Sequence, residues 1–212
     1  MMEQNSPEWF AARAGKVTAS RVEAVMAKGQ SGKPSATRAN YMAQLIAERL
    51  TGVVEEGFKS AAMARGNEVE PEARAAYSFM RNVDLTPGGF VQHPTILMAG
   101  ASPDSLVGED GLLELKCPNT ATHLDTLLGA SIDGGYMKQM LWQLSCTGRK
   151  WVDFVSFDNR LPPHLQLHIR RIHRDDVKIA EMEAEVKKFL GEIDDKLVAL
   201  GRLGSSTVAE AA

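Results

Sequence analysis

The stretch Ser102-Pro103-Asp104 and, nine residues after Asp104, the run Leu113-Glu114-Leu115-Lys116-Cys117-Pro118 decide the fold of this chain. In a β-strand, side chains two positions apart point to the same face of the sheet. Glu114 and Lys116 would therefore share one face. The core would receive Leu113, Leu115 and Cys117. The second run thus predicts a strand that carries an acid and an amine side by side.

Asp104 lies on a neighbouring strand or at its end, where it could bring a second carboxylate beside Glu114. Two hard oxygen donors at that spacing would hold Mg²⁺ or Mn²⁺. A lysine next to them, Lys116, could orient or activate a metal-bound water. Such a set is suited to cutting phosphodiester bonds. The alternative is a half-buried strand whose alternating charges simply face solvent.

Glu70, in Arg65-Gly66-Asn67-Glu68-Val69-Glu70-Pro71-Glu72-Ala73-Arg74, could face the sheet as a third carboxylate. It could equally be a surface acid paired with Arg74 one helical turn later. Pro71 should bend this helix or start a new segment.

Tyr136, Gln139 and Gln143 share one face of a predicted helix, because residues three and four apart are neighbours there. They could hydrogen-bond a phosphate or hold the lysine. They could also be polar groups that satisfy one another inside a buried helix.

Arg13 and Ser20 flank a predicted helix start at which Ser20 and Glu23 form a capping box. A helix N-terminus attracts anions. With Arg13 nearby and the Ser20 hydroxyl, it could grip a terminal phosphate. The alternative is an ordinary helix cap next to a surface arginine.

The length of 212 residues favours one domain, for which we expect residues 1–203, followed by a flexible C-terminal tail at 204–212. The formal net charge of −3 argues weakly against a nucleic-acid ligand, although Arg13 to Arg49 is locally basic. The two cysteines supply neither a disulfide framework nor a metal set. No apolar run is long enough for a membrane span and no signal peptide is evident, so we expect a cytoplasmic protein with no membrane association.

Helices come first, a cluster of short strands occupies the middle, and strands and a closing helix follow a helical crossover from Cys117 to Lys150. This order predicts an α/β fold in which the crossover joins parallel neighbours of a mixed sheet.

Together the motifs resemble the phage lambda exonuclease group, also described as YqaJ-type viral recombinases, within the PD-(D/E)xK nuclease superfamily. The matching segments occur in the family's order over about residues 7–172: Trp9 with Arg13-Ala14-Gly15-Lys16-Val17-Thr18-Ala19-Ser20, Gly66-Asn67-Glu68-Val69-Glu70, Ala101-Ser102-Pro103-Asp104, Leu113 to Pro118, and Tyr136-Met137-Lys138-Gln139. The resemblance implies a restriction-endonuclease-like core with a central mixed β-sheet flanked by helices.

The resemblance also implies a Mg²⁺-dependent exonuclease, with Mn²⁺ as a substitute, that degrades the 5′-ended strand of double-stranded DNA and leaves 3′ overhangs for recombination by strand annealing. Two ions per site are implied. The metal ligands would be Asp104, Glu114, the Leu115 carbonyl and Glu70. Lys116 would position the attacking water, Gln139 matches the glutamine of the last motif, and Arg13 and Ser20 match positions that hold the 5′ phosphate. Tyr136 and Gln143 would support the site, although the family's second glutamine does not align with Gln143.

The family further implies a homotrimeric ring around DNA and a single-strand annealing protein as partner. Two rivals share the core: an endonuclease or repair nuclease, and a non-catalytic subunit that binds DNA ends. In a third reading the charge alternation is only structural and the protein has no nucleic-acid function.

Overall fold

A five-stranded mixed sheet in the order β2-β5-β6-β7-β8 forms the centre of the molecule. The computed structural model describes residues 4–29, 35–54 and 61–210, with no side-chain detail for 61–63 and 204–210. The strands are β1 (Val17–Thr18), β2 (Leu85–Pro87), β3 (Val91–Gln92), β4 (Ala99–Ala101), β5 (Ser105–Val107), β6 (Gly111–Lys116), β7 (Trp151–Phe157) and β8 (Leu167–His173). The helices are α1 (Pro7–Arg13), α2 (Val22–Met26), α3 (Ala36–Thr51), α4 (Ala61–Arg81), α5 (Thr120–Leu127), α6 (Gly134–Thr147) and α7 (Asp176–Glu210).

Only β6 and β7 run parallel in this sheet, and their register pairs Lys116 with Ser156. The crossover between them contains α5 and α6. The other described pairings in this sheet are antiparallel. The predicted α/β fold, with its central mixed sheet flanked by helices and its parallel crossover, is confirmed.

A second, three-stranded sheet in the order β1-β4-β3 carries the chain into the Ser102-Pro103-Asp104 turn. The sequence pattern did not indicate β1 or β2, which contain two and three residues.

Alternation along β6 divides its side chains between two apolar clusters. Leu112 packs with residues of α2, α3, α6 and α7, whereas Leu113 and Leu115 pack with Val69 and Tyr77 of α4. The predicted core positions Leu113 and Leu115 are therefore correct. Glu114 is on the α6 side of the strand, which fixes the face on which the polar groups meet.

The capping box predicted at Ser20 is wrong. A short 3₁₀ turn, Ala19–Arg21, precedes α2, whose N-cap is Arg21 without a side-chain capping bond. Glu23 is instead the partner of Lys138, with Nζ and Oε1 3.0 Å apart, so it is not available to complete a box.

Pro71 lies inside α4, and no new helical segment starts there. At the other end of the chain, α7 extends to Glu210, and residues 211–212 lie outside the described residues. The division of the chain into a domain ending at residue 203 and a flexible tail stays a prediction. In the described part of the chain, no helix combines the length and apolar character needed to cross a membrane.

Candidate active site

Glu114 occupies the centre of the candidate site, on a strand with neighbours on both sides, and is 1% exposed. α6 packs against this face and supplies two amides. Gln139 Nε2 donates to Glu114 Oε1 and Gln143 Nε2 to Oε2, each at 2.6 Å. Lys116 also donates to Oε1. The buried carboxylate is thus compensated by three donors, which hold it in one orientation.

Asp104 lies beside Glu114 because it immediately precedes β5. The described pairing of β5 with β6 ends at Ser105 and Leu113. Beyond it, the Leu115 N–H donates to Asp104 Oδ2 at 2.6 Å. The aspartate side chain therefore satisfies a strand donor where the ladder stops, and this bond fixes the carboxylate at the end of β6.

Glu70 reaches the same place from α4 and is held by Arg74. The Arg74 guanidinium donates to Glu70 Oε1 and to the Asp104 carbonyl, both at 2.5 Å, and also contacts the Ser105 hydroxyl. Both interpretations of Glu70 therefore apply: it is paired with Arg74 at i+4, and it faces the sheet beside Asp104.

The electrostatics reflect this crowding. Burial, and then the negative charge of Glu114, raise the pKa of Asp104 well above its usual value, and Glu70 adds to the effect while Lys116 opposes it. Burial alone would lower the pKa of Lys116, but the adjacent Glu114 and Asp104 outweigh it and raise that pKa. The two acids therefore favour the ammonium form of Lys116.

An open pocket of about 650 Å³ lies at the site, and its lining includes Glu70, Asp104, Leu115 and Lys116. The Tyr136 ring lies on its wall, with Lys116 Nζ 4.9 Å from the ring centroid. A second depression of about 570 Å³ shares Glu70 and Asp104 with the first. These two acids are therefore accessible from both hollows.

Arg13 lies beside the site and contacts Ser102. Its Nη1 donates to Ser102 Oγ at 3.3 Å, and its guanidinium carbon lies 3.8 Å from the centre of the Trp9 ring. Burial lowers the pKa of Arg13 to about 10. Ser20 is exposed, and no described hydrogen bond joins it to Arg13. The structure therefore brings Arg13 next to the Asp104 turn but does not join Ser20 to it.

The donor set suits a hard divalent cation. A carboxylate offers about four acceptor positions, and the described hydrogen bonds leave Asp104 Oδ1 unused and one position on Glu114 Oε2. A cation here would also offset the repulsion that raises the pKa of Asp104. Among the described residues, no three His, Cys, Asp or Glu side chains form a ready metal cluster. Mg²⁺ would not require three such ligands, because it can be held by one or two carboxylates and keep several waters.

The sequence interpretation missed two arginines at the pocket rim and the buried aspartate that binds them. Arg65 and Arg160 line the pocket, and both bind Asp158, which follows β7. One signal was present: Asp158-Asn159-Arg160 ends an apolar strand next to the one that carries Lys116. Polar residues at that edge of a sheet often line ligand sites.

A mixed sheet with an aspartate before one strand and an acid–x–lysine triplet on the next defines the PD-(D/E)xK-like nuclease fold. The YqaJ-like viral recombinase domain matches residues 8–150, and the chain belongs to that family.

Solved structures agree with this assignment. The chain is similar to an alkaline exonuclease (LHK-Exo) from Laribacter hongkongensis, with 50% identity and a TM-score of 0.89 over 95% of this chain and 100% of the other. A structure of LHK-Exo in complex with dAMP matches equally well. A phage-related exonuclease from Haemophilus somnus 129PT shares the fold at 16% identity and a TM-score of 0.65, over 87% of this chain and 96% of that one. Comparison with curated proteins gave no significant match.

Proposed function

We propose that this protein is a Mg²⁺-dependent nuclease that degrades the 5′-ended strand of double-stranded DNA and leaves 3′ overhangs. The observation that carries the proposal is that Asp104, Lys116 and Glu70 line one open pocket, where Lys116 also donates to the buried Glu114. The similarity to an alkaline exonuclease over nearly the whole chain supports the exonuclease class.

Asp104, Glu114 and the Leu115 carbonyl would hold one Mg²⁺, or Mn²⁺ in its place, and Glu70 would help to hold a second ion. Bound metal would stabilise charge on the attacking and leaving oxygens of the phosphodiester. Gln139 and Gln143 keep the Glu114 carboxylate oriented from α6.

Lys116 would position the attacking water. Because the negative charges of Glu114 and Asp104 favour its ammonium form, Lys116 would act as a hydrogen-bond donor to that water. The Tyr136 ring below it limits where the ammonium can move.

Arg13 would bind the terminal 5′ phosphate, because its guanidinium lies against Ser102, two residues before Asp104. Ser20 remains a candidate for the same phosphate, although it makes no described contact with Arg13. Arg13→Ala should reduce the preference for 5′-phosphorylated over 5′-hydroxyl ends more than it reduces the affinity for Mg²⁺. Equal wild-type rates on both ends would remove this role.

The deciding experiment uses linear duplex DNA labelled at either end, with each 5′ end phosphorylated in turn, and closed circular duplex, with and without Mg²⁺. Mononucleotides released from the 5′-phosphorylated strand, with circles untouched, would support the proposal. Cut circles would indicate an endonuclease, and DNA binding without cleavage would indicate a non-catalytic end-binding subunit.

We also propose that the protein works in the cytoplasm as a homotrimeric ring around DNA, and that a single-strand annealing protein receives the 3′ overhang. Membership of the viral recombinase family supports the ring and the annealing partner. Light scattering of the purified protein tests the ring, because a monomer or dimer would contradict it.

A further inference from the structure

A buried aspartate organises the rim of the active-site pocket. The Asp158 side chain has no exposed surface. Its Oδ1 accepts from Arg65 Nη2 at 3.1 Å and from Arg160 Nε at 2.7 Å. Its Oδ2 accepts from Arg160 Nη2 at 2.9 Å and from Thr120 Oγ1 at 2.7 Å. The carboxylate therefore fixes two guanidinium groups in place.

These two arginines are placed by the same part of the sheet that carries Lys116. β7 pairs Ser156 with Lys116, and Asp158 follows two residues later at the same end of the sheet. Arg65 Nη1 and Arg160 Nη2 also donate to the Pro118 carbonyl, at 3.3 and 3.2 Å. Both arginines thus hydrogen-bond to the chain segment that follows β6.

The cluster carries an excess of positive charge. Two guanidinium groups share one carboxylate, and their side chains remain 26% and 45% exposed for Arg65 and Arg160. Within the described part of the chain, Arg160 Nη1 donates no hydrogen bond. If the two arginines only held Asp158 in place, neither their exposure nor the unused Nη1 donor of Arg160 would be needed.

Inside the pocket, the acids Glu70 and Asp104 lie beside Lys116, whose ammonium already donates to the buried Glu114. A DNA strand needs a cation at the entrance that is not already neutralised by these acids. Guanidinium groups match phosphate oxygens, and groups held in advance lose less conformational freedom on binding.

We propose that Arg65 and Arg160, held by Asp158, form a phosphate-binding pair for the DNA strand that enters the active site. This proposal rests on the proposed function and specifies one contact of the substrate backbone. A purely structural tie between α4, the Pro118 segment and Asp158 is the alternative outcome.

The test measures duplex binding by fluorescence anisotropy in the full-length Lys116→Ala protein with Mg²⁺, at salt concentrations from about 50 to 300 mM. Arg160→Gln in this background should weaken binding about tenfold at 0.1 M salt and lower the slope of log affinity against log salt by about 0.9, as expected for one lost phosphate contact. Arg65→Gln should act in the same direction. Arg160→Lys keeps the charge and should keep the slope while weakening binding less.

The matched control is Arg171→Gln. Arg171 also pairs with a fully buried aspartate, Asp153, and is similarly exposed at 40%, but it lines a different pocket. Its loss should leave the salt slope unchanged. Thermal denaturation of every variant identifies those that are folded, and Arg65→Gln carries the test if Arg160→Gln does not fold.

An unchanged slope in folded Arg160→Gln or Arg65→Gln, with tight binding by the Lys116→Ala parent, would overturn the phosphate-binding pair. Failure of both the parent and the wild type to bind DNA would overturn the proposed function instead.

Discussion

Strand β7 offers a comparison between two buried aspartates, each with no exposed side-chain surface and each bound to arginine. Asp153, on the strand, receives Arg171 Nε and Nη2 at 2.8 and 2.9 Å and the Tyr77 hydroxyl at 2.8 Å. Asp158, just past the strand, receives Arg65 and Arg160. The two clusters have the same chemistry, but only the second shares a pocket with Lys116.

The surroundings explain what each cluster can do. The Arg171 guanidinium carbon lies 3.5 Å from the centre of the Trp151 ring, so one of its faces is covered. Arg160 lies at the rim of the active-site pocket, and within the described residues its Nη1 donates no hydrogen bond. A buried ion pair therefore does not identify a functional site by itself, and its position relative to reactive groups does.

The largest expected effect is on the rate of DNA cleavage, and it compares a lysine at each end of the sheet. Lys116→Ala should lower the rate of DNA cleavage about 10³-fold, because it removes a fixed cation next to the scissile linkage, while metal and DNA binding are retained. Lys150→Ala is the control at the other end, where Lys150 is 72% exposed and pairs with Asp110. Its rate should stay within about twofold of wild type, as expected for a surface pair. Retained turnover in Lys116→Ala, measured on linear duplex, would remove this lysine from the mechanism.

A second pair of variants asks whether the two aspartates differ in function as well as in position. Asp153→Asn and Asp158→Asn should each lower the free energy of unfolding in urea by about 2–3 kcal/mol, because each removes the buried negative charge that compensates the arginines around it. Only Asp158→Asn should also weaken DNA binding, by about tenfold, because only that change releases Arg65 and Arg160. Equal effects of the two variants on binding would show that position on β7 is irrelevant.

The pH dependence of stability provides a third comparison. Burial alone would raise the pKa of Asp158, but hydrogen bonds from Arg160 and Thr120 outweigh it and lower that pKa in the folded state. A carboxylate whose pKa is lower in the folded state than in the unfolded state, where it is about 3.9, stabilises the fold above that pH. This stabilisation is lost as the pH falls toward the pKa of the folded state. The stability gap between wild type and Asp158→Asn should be constant from about pH 7 to 5 and narrow below about pH 4. A gap as large at pH 3 as at pH 6 in urea titrations would contradict the assignment.

The sequence predicted the centre of the site because strand geometry places it. Alternation in β6 put Glu114 on one face and Leu113 and Leu115 on the other, and both placements are correct. Asp104 could be assigned to the end of a neighbouring strand, where it is found. The parallel crossover followed from the length of chain between β6 and β7.

The rim could not be predicted in this way. Arg65 and Asp158 are 93 residues apart in the chain, and no local periodicity relates a residue of α4 to one after β7. The capping box failed for a related reason. A serine three residues before a glutamate satisfied the local pattern of a capping box, but in the folded protein Glu23 pairs with Lys138 instead.

The smallest expected effect compares two glycines whose missing side chains allow close packing. A Cβ on Gly88 would overlap the Pro103 carbonyl, next to Asp104, whereas a Cβ on Gly111 would overlap the Trp151 ring at the far end of the sheet. Gly88→Ala must displace the backbone that carries Asp104, and we expect about a tenfold loss of cleavage rate with Mg²⁺. Gly111→Ala should instead cost about 1–3 kcal/mol of stability and leave the rate per folded molecule unchanged. Denaturant titrations and rates on linear duplex distinguish the two, and a rate loss in Gly111→Ala equal to that in Gly88→Ala would mean that strain anywhere in the sheet reaches the acids.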